Sequence, residues 1–123
     1  MENSRVEYKV IPEQRIVIAK INNIEDDAIN FFNKKFLANI TSSIHVTNNW
    51  YKDDEKFIMP RSLKCVARCH PDDVFDEEVG KRIALKKLSE KYNRCLDKHL
   101  AHFLVSFDKT LKIMDKYFEG REF

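Results

Sequence analysis

The sequence predicts an α+β fold: an N-terminal antiparallel sheet with one short helix, followed by a long C-terminal helix or helical pair that mediates a homo-oligomer. Three observations carry this reading. Apolar and polar residues alternate over 5–21 and again over 62–69, the two-residue period of strands with one face on a core. Apolar residues recur instead every three or four positions over 24–38 and over 76–118, the period of a helix with one buried stripe. After Pro71 there is no further proline, so nothing interrupts the second helical stretch.

Taken in order, Val6, Tyr8 and Val10 alternate before Pro12-Glu13-Gln14, and Ile16 and Ile18 alternate after it, which predicts two short strands joined by a tight turn. Asn22 and Asn23 are candidate caps, and Glu25, Asp26 and Asp27 place acids where a helix macrodipole favours them. Ile24, Ala28, Phe31, Phe32 and Phe36 then give an amphipathic helix over about 24–38. Ile44 and Val46 bracket a further strand, and Asn48-Asn49 mark a turn before Trp50 and Tyr51. In 62–69, Leu63, Cys65, Ala67 and Cys69 share one face while Lys64, Val66, Arg68 and His70 share the other: a half-buried strand with a basic outer face. His70-Pro71 ends it, since proline donates no ladder hydrogen bond. Asp76 is a natural N-cap, with Glu77 and Glu78 in the first helical turn.

Gly80 falls inside that helix, where glycine is about 1 kcal/mol worse than alanine, so a packed neighbour or a ligand is expected against its backbone. The helical stripe continues through Leu88, Tyr92, Cys95, Leu96, Phe103, Phe107, Leu111, Met114 and Phe118. One helix of that extent would be roughly 60 Å long, whereas a compact domain of this size has a radius of gyration near ~14 Å. Either the chain folds back near Ser106–Asp108, or the stripe packs on another copy. The near-heptad spacing of Leu88, Cys95, Leu96, Phe103 and Phe107 favours a helical partner in both cases, and hence a homodimer or higher homo-oligomer.

The 123 residues fit a single domain, 1–123, with 1–70 mostly β and 76–118 helical. Apolar residues are 43% and charged residues 34%, with no apolar run long enough for a membrane span. Three cysteines without framework spacing, and an N-terminus without a secretory pattern, point to free thiols in a reducing cytoplasm. A net charge of +2 with interspersed signs gives no global reason for nucleic acid. With two glycines in the chain, a glycine-rich phosphate loop is excluded, and any phosphate must be held by side chains or a helix N-terminus.

Two cysteines, a histidine and several acids crowd the segment 64–88, and their spacing decides between chemistries. Cys65 and Cys69 stand four residues apart on a strand, about 13 Å, too far to share an ion. The acids Asp72, Asp73, Asp76, Glu77 and Glu78 surround a helix start, where capping accounts for them. No nucleophile and base can be paired from spacing, so no catalytic residue and no metal or other cofactor is assigned, and the chain is read as a non-enzyme. The remaining set is basic and aromatic. Arg61, Lys64, Arg68 and His70 lie along the strand, and Arg82, Lys86, Asn93 and Arg94 on the helix after it. Trp50, Tyr51 or Tyr92 offer rings on which a base could stack, so the set fits an anionic, nucleotide-like ligand, with a solvated charged surface as the plain alternative.

The run VARCHPDDVFDEEVGKRIALKKL, residues 66–88, resembles a strand–turn–helix signature of small phage and prophage proteins of low-GC Gram-positive bacteria, through Val66, Ala67, Cys69, Asp73, Phe75, Asp76, Gly80, Ile83 and Ala84. With an N-terminal sheet ahead of long helices, the chain is similar to the Thoeris anti-defence sponge family. That resemblance implies an oligomer in the host cytoplasm that sequesters a cyclic nucleotide-derived immune signal, such as a cyclic ADP-ribose isomer or a cyclic oligonucleotide, without turnover. On that reading Arg61, Arg68 and Arg82 pair with phosphates, Trp50 or Tyr92 stacks the base, and Asn93 reads its edge. The alternative is a protein-binding inhibitor of a host immune effector, akin to an anti-CRISPR, whose acids at 53–55 and 72–78 imitate phosphates. A third is direct nucleic-acid binding through the Lys/Arg strand, with affinity falling steeply in salt.

Overall fold

A computed structural model describes residues 1–37 and 58–120 of the chain. Its described elements are β1 (Val6–Ile11), β2 (Ile16–Asn22), α1 (Asp27–Phe32), β3 (Ser62–Arg68) and α2 (Glu77–Glu119). The strands form one antiparallel sheet in the order β1-β2-β3, so β2 is the centre. α2 lies across one face of this sheet. The fold class is therefore α+β, as the two periodicities predict. The expected strand around Ile44 and Val46, and Trp50 and Tyr51, lie outside the described residues.

β1 and β2 pair from Val6 opposite Ile21 to Ile11 opposite Ile16, around a turn at Pro12–Gln14 that closes with Arg15 in the left-handed region at φ 58°. Alternation along β2 sends Val17, Ala19 and Ile21 into the core, all fully buried. From β3, Ala67 is buried and Leu63 and Cys65 pack against the same cluster. α2 answers with Ala84, Leu88, Tyr92 and Phe103, and α1 with Ala28, Ile29 and Phe32. The Phe32 and Phe103 rings stack at 4.7 Å, joining the two helices.

One expectation is corrected and two open points are settled. The first helix begins at Asp27 rather than near Ile24, because Asn23 turns the chain at φ 58° and Ile24 and Glu25 make backbone bonds to Arg61 and Met59 instead. Neither Asn22 nor Asn23 caps it. Asp26 holds the N-cap position without a side-chain cap bond, and the helix runs on into one wider π turn at Asn33–Leu37. Secondly, there is no fold-back at Ser106–Asp108: α2 is a single helix of 43 residues, about 64 Å at 1.5 Å per residue. Thirdly, Leu88 and Phe103 are buried against the chain's own sheet and α1, with Cys95 and Leu96 packed beside them, so these four have an intramolecular partner, whereas Phe107 is exposed. Among the described residues, none after Phe103 is buried.

The start of α2 follows the sequence reading. Asp76 accepts from the Glu78 and Val79 N–H groups at 3.0 and 3.3 Å, satisfying two of the helix's free donors. Lys81 pairs with Glu77 at 3.1 Å one turn along. Gly80 faces the sheet, where a Cβ would stand 2.6 Å from Cγ2 and 3.3 Å from Cβ of Val17. Glycine is thus required by the approach of helix to strand.

A second lock ties the N-terminus, α1 and α2 together. Asp27 Oδ2 accepts from Arg5 Nη1 at 2.9 Å and from the Tyr92 hydroxyl at 2.7 Å, and Arg5 Nη2 also donates to the Asn23 carbonyl at 2.9 Å. Burial, then the bond to Asp27, push the Tyr92 phenol well above its ordinary 10.0, and the bond to Asp27 raises Arg5 in turn.

Two outcomes follow for stability. Gly80→Ala gains about 1 kcal/mol of helix propensity but introduces overpacking of about 1–3 kcal/mol against a stiff β-branched side chain. Net destabilisation on the order of 1 kcal/mol is expected in denaturant unfolding, partly relieved in the Gly80→Ala/Val17→Ala double variant; strict additivity would place the clash elsewhere. Tyr92→Phe removes a hydrogen bond to a carboxylate, an expected loss of about 1–2 kcal/mol at neutral pH. Because the folded-state phenol is raised, this contribution is complete below the unfolded value and declines as pH climbs beyond about 10. The stability gap between wild type and Tyr92→Phe should narrow over that range, and a constant gap would refute the assignment.

Candidate functional site

The junction of β3 with α2 forms a groove of about 560 Å³, within the roughly 300–1,000 Å³ range of small-molecule sites. Its floor is made where Gly80 lets α2 approach the sheet, and is lined by Ala67, Phe75, Val79 and Ile83. The rim is polar: Arg68, His70, Asp73 and Asp76. Val79 and Ile83 remain 38% and 46% exposed, so the floor presents apolar surface to an incoming group.

Arg15 holds the turn that forms one wall. Its left-handed backbone aims the guanidinium across the end of β3, where Nη2 donates to the His70 carbonyl at 3.1 Å and to the Asp73 carbonyl. The Arg15 carbonyl accepts from Cys69 N–H at 2.9 Å, so backbone and side chain fasten the same loop. Arg15 Nε is buried and has no hydrogen-bond partner among the described residues. His70 Nδ1 lies 3.2 Å from the Asp72 N–H and 3.5 Å from the Asp72 carboxylate. The N–H is a fixed donor, so Nδ1 is the acceptor and Nε2 carries the ring proton.

The structure brings Arg68 and His70 to this groove. Arg61 and Lys64 are exposed on and before β3. Since Cys65 and Ala67 face α2, Lys64 projects from the opposite side of the sheet, whereas Arg68, where β3 ends, lines the groove. On that opposite side Lys64 is directly across from Lys20 on β2, which is in turn opposite Glu7 on β1. Two lysines in register repel, so this outer face carries a local excess of positive charge. Arg82, Lys86, Asn93 and Arg94 are exposed on α2, while Ala84, Leu88 and Tyr92 make its buried face. The strand and helix members of the basic set therefore do not converge on one pocket.

Tyr92 corrects the expectation of a stacking ring: it is 5% exposed, packed in the core, with its hydroxyl committed to Asp27. Trp50 lies outside the described residues. Arg15 and Lys20 are the residues that sequence reasoning missed. Lys20 carried a signal, since strand alternation places it on the outer face, whereas Arg15 depends on a contact 55 residues away.

Among the described residues, no group of three or more His, Cys, Asp or Glu side chains is placed to hold a metal ion. Burial pushes the Cys95 thiol up, which favours the protonated form rather than a thiolate. No described helix is long and apolar enough to cross a membrane. Comparison with protein-family models, with curated proteins and with solved structures gives no match.

Proposed function

We propose that the chain is a non-catalytic binding protein for a small anionic ligand carrying a ring, and that it sequesters a cyclic nucleotide-derived signal as an anti-defence protein. The observation that carries this reading is the β3–α2 groove: an apolar floor over Gly80 with a cationic rim at Arg68. A planar base packs on Phe75, Val79 and Ile83, the His70 Nε2–H donates to an acceptor on the ligand, and Arg68 pairs with phosphate oxygens. Asp73 and Asp76 face the same space, which favours a ligand that also offers hydroxyl or amino donors, as a nucleoside does.

The test is a thermal-shift panel with cyclic ADP-ribose isomers, cyclic di- and trinucleotides, ADP-ribose and NAD. At a hundredfold excess over the dissociation constant, the right ligand stabilises the protein by about 2.7 kcal/mol, and it is recovered chemically unchanged after denaturation. Arg68→Ala should weaken that ligand about 10- to 100-fold, the range for a charged hydrogen bond, while Lys112→Ala, distant on α2, leaves it unaltered. Recovery of a cleaved product would replace the reading with an enzyme. A flat panel would replace it with the inhibitor of a host protein.

A further inference from the structure

α2 continues well past the body it packs on. Phe103 is its last buried residue, at 1% exposure, and Leu104, Phe107, Leu111, Met114 and Phe118 beyond it are 62%, 43%, 47%, 47% and 45% exposed. With half-buried Leu100, these residues are spaced four, three, four, three and four apart, a strict heptad seam about 27 Å long at 1.5 Å per residue. Leu104, Leu111 and Phe118 take the a positions, and Leu100, Phe107 and Met114 the d positions. The phase differs from that of Leu88, Cys95 and Phe103, which serve the chain's own core; Leu100, packed at the edge of that core, is where the two stripes meet.

We propose that a second copy of this chain covers the seam, forming a parallel two-stranded coiled coil over Leu100–Phe118. Charge on the flanks selects both occupant and direction. The e positions carry Asp108 and Asp115, the g positions carry uncharged Phe103, Thr110 and Tyr117, and Lys109, Lys112 and Lys116 lie on the outer side, where Lys112 pairs with Asp108 at 3.0 Å. A parallel pair sets each e position against a g position of its partner, so Asp115 meets Thr110; an antiparallel pair would set the acids against one another. A two-fold axis along the seam matches every layer with its own copy: leucine on leucine, Phe107 on Phe107. Upstream the same positions hold Asp97, Asn93, Glu90 and Lys86, so the apolar seam stops where the sheet takes over the helix. Phe103, at g, turns toward its own α1, which leaves the two bodies on opposite sides of the paired helices. The inference uses none of the groove residues and stands whether or not that site binds a nucleotide.

Sedimentation equilibrium on the full chain should give twice the 14.6 kDa subunit mass. Leu111→Asp should return the monomer with its sheet signal in circular dichroism retained, because the position is solvent-exposed on each separate chain. Mild oxidation of Met114→Cys should then trap a dimer whose disulfide maps, by peptide mass spectrometry, to that position in both chains. A wild-type monomer, or a dimer that survives Leu111→Asp, overturns the proposal. A dimer that does not cross-link at position 114 overturns the parallel arrangement.

Discussion

The approach of α2 to the central strand at Gly80 is the contact on which the rest of the architecture depends. A helix resting on a sheet is normally held off by its own side chains. Here one is missing, and Val17 occupies the place where a Cβ would be. The helix is thereby pinned near its N-terminus, four residues from the Asp76 cap. Ala84, Leu88 and Tyr92 then descend onto the sheet in successive turns. Gly80 also lines the β3–α2 groove, so the packing contact and the candidate site adjoin.

The polar lock at the other end works differently. Arg5, Asp27 and Tyr92 come from a turn before β1, from α1 and from the middle of α2, and each satisfies the others. A carboxylate with two donors at under 3 Å tolerates partial burial that an unpaired one would not. Dispersion and area fix α2 on the sheet. Directional bonding then orients α1 against it, with the Phe32 and Phe103 stack sealing the join.

Much of this was legible because local pattern and global fold agree. The β1, β2 and β3 strands follow from alternation, the α2 start from Asp76 with its acids, and the close contact at Gly80 from glycine's poor helix propensity. The misreadings share a cause: they concern residues whose partners are remote in sequence. Ile24 has helical spacing relative to Ala28, yet its N–H bonds to the Arg61 carbonyl across the fold. Tyr92 falls on the apolar stripe and also offers a ring for stacking, and its burial, with the hydroxyl on Asp27 65 residues earlier, decides for the core. Arg61, Lys64, Arg68 and Arg82 look like one cluster along the chain. The separate surfaces of β3 and α2 divide them, leaving Arg68, at the strand's end, with His70 at the groove. No pattern could have named Arg15, since its function comes from a left-handed turn pointing at a loop that the chain has not yet reached.

The single helix of 43 residues also divides the molecule by stability rather than by sequence. Between Gly80 and Phe103 the helix is packed on the core, the setting in which amide exchange is governed by global opening. The residues beyond Phe103 belong, in a lone chain, to a projecting rod held by little more than helix propagation along its length. One unbroken run of backbone hydrogen bonds therefore spans two regimes of local unfolding. The boundary falls at an aromatic stack, where the rod leaves its support.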